Sequence, residues 1–213
     1  MRKFRHTLPK LTVFVSFIAI TITFPAFGQA PSANFTGSPI TGCSPLIVSF
    51  QDLSTGNPIS WNWSFGNGNT SGLKNPTASY FTPGTYTVSL TVTNASGSNT
   101  LTRTQYITVY EAPAVDFSGS PLSGCFPLRV QFSDLSTPGT GNTNVSWLWD
   151  LGNGNTSTLQ NPLATYNTAG AFSITLQVTN HKGCTKTKTR TNYINVSPGE
   201  LRTHEKNSRP DCR

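Results

Sequence analysis

Any catalysis in this chain would rest on very few side chains. Its 213 residues include three His and eight acidic residues. His6 stands in a basic N-terminal stretch, His204 in a polar C-terminal stretch, and His181 directly after Asn180 in a turn-forming run. A Ser-His-Asp arrangement needs an imidazole held by packed neighbours, and His181 reads instead as a solvated turn residue. The acids Asp52, Asp116, Asp134, Asp150, Asp211, Glu111, Glu200 and Glu205 are mostly single and far apart, which is no basis for a glycosidase pair. Asp52 and Asp134 each open an Asp-Leu-Ser run, where a carboxylate ties a turn through nearby backbone N–H groups. Neither an Asp-x-Asp-x-Asp loop nor a Cys-x-x-Cys or His-x-x-x-His spacing is present, so nothing points to dedicated calcium or zinc ligands. The expectation is a chain without catalytic residues, metal or cofactor, and not an enzyme.

Binding is the remaining chemistry. Lys182, Lys186, Lys188 and Arg190 cluster near one strand-like run, and the even spacing of the last three puts them on one strand face. Such a row serves either to deter edge-to-edge association or to hold an anionic polymer. At the aligned positions the earlier part of the chain has Thr100, Thr102 and Thr104. Exposed aromatic rings would be the other route to a ligand. Trp61, Trp63, Trp147 and Trp149 share parity with apolar neighbours and read as mainly buried, leaving Phe126, Trp147 and Tyr110 as possible exceptions.

The elements that would position these groups are strands. With 11% charged residues, 35% hydrophobic residues, 18 Gly and 15 Pro, the composition disfavours long helices and an α/β enzyme. Residues 1–30 have a basic start (Arg2, Lys3, Arg5, Lys10), an apolar stretch from Leu11 to Phe24 and a small-residue end, the layout of a cleaved secretory signal. Removing it lowers the net charge from +7 to +3, which undercuts nucleic-acid binding. No second apolar stretch follows, so no membrane insertion is expected after cleavage.

The remainder is one unit written twice. Residues 34–54 align with 116–136 at an offset of 82, with 13 of 21 identical. After an insertion near Gly139–Asn142, residues 61–80 align with 147–166 and 85–94 with 171–180, at an offset of 86. Within each copy apolar residues alternate with polar ones: Leu46, Val48, Phe50 and Tyr86, Val88, Leu90, Val92, then Leu128, Val130, Phe132 and Phe172, Ile174, Leu176, Val178. That period of two buries one face of each strand, and six or seven such strands per copy bury their apolar faces by packing two sheets together. The expected architecture is all-β, with sandwiches over 31–112 and 113–198 joined by Glu111-Ala112-Pro113, and a disordered or non-native tail over 199–213.

Each copy carries, in order, Pro-Leu-x-Val-x-Phe, Asp-Leu-Ser, the Trp-to-Gly-Asn-Gly run, Asn-Pro-x-x-x-Tyr and the final Val-Thr-Asn strand. This ordered series resembles the PKD (polycystic kidney disease) domain. The resemblance covers both copies and implies an immunoglobulin-like β-sandwich, which in bacteria recurs in secreted and surface proteins. The family's usual Trp-Asp-Phe-Gly-Asp-Gly stands here as Trp63-Ser64-Phe65-Gly66-Asn67-Gly68 and Trp149-Asp150-Leu151-Gly152-Asn153-Gly154. Asn67 and Asn153 thus replace the usual Asp. The motif reads as a folding signature, with Trp63 and Trp149 anchoring the core and Gly66, Gly68, Gly152 and Gly154 supplying positive-φ positions. The resemblance also implies a staple between Cys125 and Cys184 at the strand ends of the second copy. It leaves Cys43 to pair with Cys212, to pair between chains or to stay a buried thiol. The expected role is a non-catalytic adhesion or interaction module at a bacterial surface, secreted or cell-attached, with an extracellular protein or polysaccharide partner. The alternatives are a structural spacer and an accessory substrate-binding region of a larger hydrolase.

Overall fold

The computed structural model describes residues 28–198; residues 1–27 of the expected signal stretch and the tail after Pro198 lie outside the described residues. The described residues are all-β, with sixteen strands forming two similar sandwiches. In the first, β1 (Phe35–Ser38), β3 (Leu46–Asp52) and β6 (Thr77–Tyr80) make a three-stranded sheet in the order β1-β3-β6. It packs on a five-stranded sheet in the order β2-β8-β7-β4-β5, made of β2 (Thr41–Cys43), β4 (Ser60–Ser64), β5 (Thr70–Ser71), β7 (Gly84–Asn94) and β8 (Gly97–Tyr110). The second repeats both sheets with β9 (Phe117–Ser120), β10 (Ser123–Cys125), β11 (Leu128–Asp134), β12 (Asn144–Asp150), β13 (Thr156–Ser157), β14 (Leu163–Tyr166), β15 (Gly170–Asn180) and β16 (Thr185–Ser197). Each sandwich therefore has eight strands rather than six or seven. The extra ones are short pieces that the hydrophobic period does not mark: β2 runs parallel to β8, and β5 adds two residues beside β4.

The alternation sorts side chains between core and solvent. Val48, Trp63, Val88, Leu90 and Val92 are fully buried in the first sandwich, as are Val130, Trp149, Ile174, Leu176 and Val178 in the second. The two cores share no residue. On the outer faces Thr hydroxyls pair across strands, Thr91 with Thr100 at 2.8 Å and Thr175 with Thr189 at 2.9 Å. Such pairs stabilise the wet face of a sheet.

The indole N–H groups of Trp63 and Trp149 cannot be buried without acceptors. They donate to the carbonyls of Leu73 and Leu159, each at 2.9 Å. The Tyr80 and Tyr166 hydroxyls donate to Phe65 O and Leu151 O at 3.1 and 2.8 Å, and burial pushes the Tyr166 hydroxyl up to about 12. Two half-buried Trp complete the pattern. Trp61 and Trp147 donate to Asp52 Oδ2 and Asp134 Oδ2 at 2.8 and 2.7 Å, while the other oxygen of each carboxylate accepts the N–H of Ser54 or Ser136. The Asp of each Asp-Leu-Ser thus ties its turn and also docks a Trp.

The tight exit after each buried Trp needs glycine at one position above all. At Gly66 (φ +76°) and Gly152 (φ +71°) an added Cβ would lie 2.4 and 2.3 Å from the carbonyls of Thr87 and Ser173. At Gly68 (φ +89°) nothing lies within 4 Å. A Gly66→Ala substitution should therefore cost about 2–4 kcal/mol, and Gly68→Ala about 1 kcal/mol from backbone strain alone. Calorimetric unfolding of the two variants checks this, and equal losses would contradict the steric account.

Candidate functional site

The basic row on β16 faces differently from the sequence expectation. Lys186, Lys188 and Arg190 are in register with Val178, Leu176 and Ile174 of β15, whose side chains are fully buried. The three cations therefore share the inward face of the sheet, along a stretch of β16 that has no further strand beside it, because β10 pairs only with residues 195–197. Thr185, Thr187 and Thr189 occupy the outward face, and Thr185 and Thr189 bond hydroxyls on β15.

Asp116 receives most of this charge. Lys188 Nζ and Arg190 Nη2 each reach its Oδ1 at 2.8 Å, and the N–H of Phe117 donates to the same oxygen. The Lys188 hydrogen bond, then Phe117 N–H and Arg190, lower the Asp116 carboxyl from 3.8 to about 2. The Arg190 guanidinium also lies 5.2 Å from the ring centres of both Phe117 and Tyr193, a cation–π contact on each side. Two of the four candidate ligand-patch residues are thus engaged in closing the rim of the sandwich. Lys182 belongs elsewhere, with its Nζ 5.2 Å from the ring centre of Tyr110 in the first sandwich. Lys186 is exposed and makes no ion pair among the described residues.

The register also corrects the comparison between copies. The partners of Val92, Leu90 and Val88 on β8 are Asn99, Leu101 and Arg103, so these residues, and not Thr100, Thr102 and Thr104, match Lys186, Lys188 and Arg190. The β15–β16 hairpin is one residue longer than the β7–β8 hairpin: Thr179 pairs with Thr185, where Thr93 pairs with Ser98. The 86-residue offset therefore becomes 87 beyond the turn. Arg103 repeats the role of Arg190, lying 5.1 and 5.3 Å from the rings of Phe35 and Tyr106 and donating to Phe35 O at 3.1 Å.

The extra hairpin residue is Cys184, and the expected Cys125–Cys184 staple is not formed. Cys184 is bonded to Cys43 of the first sandwich, with Cα atoms 5.5 Å apart. The reason lies in β16. Cys125 is in register with Ser197 at the end of that strand, while Cys184 stands just before its first residue. Twelve strand residues separate the two by about 40 Å, far beyond the reach of a disulfide. Cys43 is in register with Tyr110 at the end of β8, where the chain crosses to the second sandwich, and the β15–β16 hairpin meets it there. Cys125 is also disulfide-bonded.

Around this bond the junction is closed by hydrogen bonds. The buried Asn180 amide donates to Glu111 O at 2.9 Å and Pro138 O at 3.2 Å, and its oxygen accepts from the N–H groups of Lys182 and Cys184. The Gly139–Asn142 insertion folds onto the same place. Thr140 N–H donates to Glu111 Oε2 at 2.8 Å, which lowers the Glu111 carboxyl below its ordinary range. His181 exchanges bonds with Thr143, whose N–H donates to its Nδ1. The first sandwich has the same grip in simpler form, with Asn94 donating to Gln29 O and Gly56 O.

The Asn residues that replace the usual Asp act as donors. Asn67 and Asn153 give their amide N–H to Ser79 O and Thr165 O, both at 3.0 Å, and accept from the N–H of Asn69 and Asn155. A carboxylate could accept but not donate. No group of three or more His, Cys, Asp or Glu is brought together among the described residues.

Three outcomes are expected. Peptide mapping without reductant should recover Cys43 linked to Cys184; a Cys125–Cys184 peptide would refute the junction. Asn67→Asp should cost about 1–3 kcal/mol, by placing an unpaired acceptor against the Ser79 carbonyl; unchanged unfolding would dismiss the donor role. Asp116 is ionised more readily folded than unfolded, so its contribution is complete above about pH 4 and fades as pH falls towards 2. Asp116→Asn should flatten that part of the pH–stability curve by less than about 1 kcal/mol, because the pair is partly exposed.

The PKD domain family matches residues 28–109 and again 110–196. The chain is 35% identical over 101 residues to collagenase ColQ1 of Bacillus cereus, covering 47% of this chain and 10% of that protein. It is 45% identical over 64 residues to the pre-pro-metalloprotease PrtV of Vibrio cholerae, covering 30% of this chain and 7% of that protein. The chain thus spans a tenth or less of the length of these curated relatives. Among solved structures it is similar to the PKD1 domain of Vibrio anguillarum Epp, with 34% identity, TM-score 0.35 and coverage of 40% of this chain and 96% of that one. It is also similar to the PKD1 domain of PrtV, with 36% identity, TM-score 0.34 and coverage of 39% and 98%. With both sandwiches matched in turn, the chain belongs to the PKD domain family as a tandem pair.

Proposed function

We infer that this tandem is a non-catalytic accessory arm of an exported bacterial protein, which holds whatever it is joined to at a set distance and orientation. The observation that supports this reading is the clasped junction. A disulfide between the two sandwiches, the Asn180 grip and the Gly139–Asn142 insertion all act where one sandwich meets the next. Export is part of the proposal, because disulfides persist in oxidising compartments and residues 1–30 have the layout of a signal. The internal engagement of Lys188 and Arg190 by Asp116 weighs against the polyanion patch, leaving Lys186 as its exposed remnant.

A second reading is favoured by the likeness to a collagenase and a metalloprotease. In it the tandem engages the insoluble polymer on which a larger hydrolase acts. Sedimentation of the folded, oxidised chain with fibrillar collagen and with insoluble and anionic polysaccharides, at low and high salt, separates the two. The arm predicts no saturable binding to any of them. Saturable binding to any of them would replace the arm with a recognition module. Salt-sensitive binding that falls several-fold in Lys186→Ala would return the site to β16.

A further inference from the structure

The route of the chain through the disulfide gives it a mechanical property that holds whether or not the tandem binds a ligand. Residues entering the first sandwich run beside β8 along its whole length. Asn94 of the β7–β8 hairpin holds Gln29 O, Ala33 N–H donates to Asn99, and Gly37 N–H donates to the Tyr106 hydroxyl. Thr41 and Cys43 then pair in parallel with Thr108 and Tyr110. Residues 31–43, which follow the expected signal, thus traverse the first sandwich from its hairpin end to the junction. From the partner Cys184, β16 runs from the junction to the far end of the second sandwich, where Ser197 lies beside Cys125.

We propose that the Cys43–Cys184 bond makes the tandem a nearly inextensible strap, in which tension between its ends bypasses most of both sandwiches. The two cysteines are 141 positions apart, so everything between them lies in a covalent loop that end-to-end force cannot lengthen. Once residues 1–30 are removed, the route that carries the force is 31–43, the disulfide and 184–198. It holds only about 30 residues, most of them already extended at close to the 3.3–3.6 Å per residue that a chain can reach. Pulling can peel β1, β2 or β16 from their neighbours but gains little length by doing so. All residues of both core clusters except Ala33, Phe35, Ile194 and Val196 lie between the two cysteines, inside the covalent loop.

The placement of the bond accords with this role. A staple within one sandwich would protect that sandwich alone, whereas this one closes over parts of both. It is also specific to the tandem: Cys184 is the residue by which the second hairpin exceeds the first.

Single-molecule stretching of the full chain between handles at its two ends tests the proposal. The oxidised protein should show no contour-length step above about 5 nm, the allowance for rearranging the short load-bearing route. Adding reductant to the already folded protein should release about 140 residues, roughly 45–50 nm in total, as the sandwiches unfold. Cys43→Ser should restore a step of about 24 nm or more from the first sandwich. Steps of equal length with and without reductant would overturn the proposal, as would large steps in the oxidised chain. The reductant arm opens the Cys43–Cys184 bond, together with the bond at Cys125, in a protein that has already folded, whereas Cys43→Ser removes the first bond alone; failure of the variant to fold would therefore not shelter the proposal.

Discussion

A Trp buried between two sheets constrains this molecule more than any other side chain. Trp63 and Trp149 are fully enclosed, each with a Phe ring set edge-on about 5.2 Å away. Their rings fill the space between the sheets, and each indole N–H must still find an acceptor. The carbonyls of Leu73 and Leu159 meet that need, which brings the loop after β5 or β13 back over the core. The chain must then leave the Trp strand at once, through Gly66 or Gly152 against the carbonyl of a neighbouring strand. Asn67 and Asn153 fasten the same turn to the smaller sheet.

The two copies agree closely in that machinery and diverge where they meet. Core Trp, Tyr and Arg contacts recur with nearly the same partners and distances, from Tyr80 and Tyr166 to Arg103 and Arg190. Both of the second copy's insertions, the Gly139–Asn142 loop and the residue Cys184, lie at the junction with the first. The grip of Asn94 on the incoming chain recurs at Asn180, there accompanied by a buried amide, an ionised Glu111 and a covalent bond. Repeats with the same core pattern need not share an orientation, and the contacts peculiar to the second copy gather at this boundary.

Much of the fold was legible because burial and alternation are local. Val48, Leu90, Ile174 and Leu176 announce their faces by their neighbours alone, and the duplication follows from simple alignment. The candidate site was less legible, since it depends on pairings across long separations. Lys188 and Arg190 meet an acid 72 and 74 residues away, so their spacing revealed a shared face but not which face. The single-residue lengthening of one hairpin was hidden by the similarity of the flanking strands, and it displaced the comparison of the basic row. The disulfide was misplaced because Cys125 and Cys184 both stand at strand ends; only the direction of β16 shows that these are opposite ends.

The bond between Cys43 and Cys184 also imposes an order in time. A chain made from its N-terminus presents Cys43 long before Cys184 exists. The first sandwich draws its whole core from its own residues, so it can assemble while that thiol still waits. Completion of the second sandwich supplies the partner and seals the pair. The finished covalent bond thus records that both halves have reached their places.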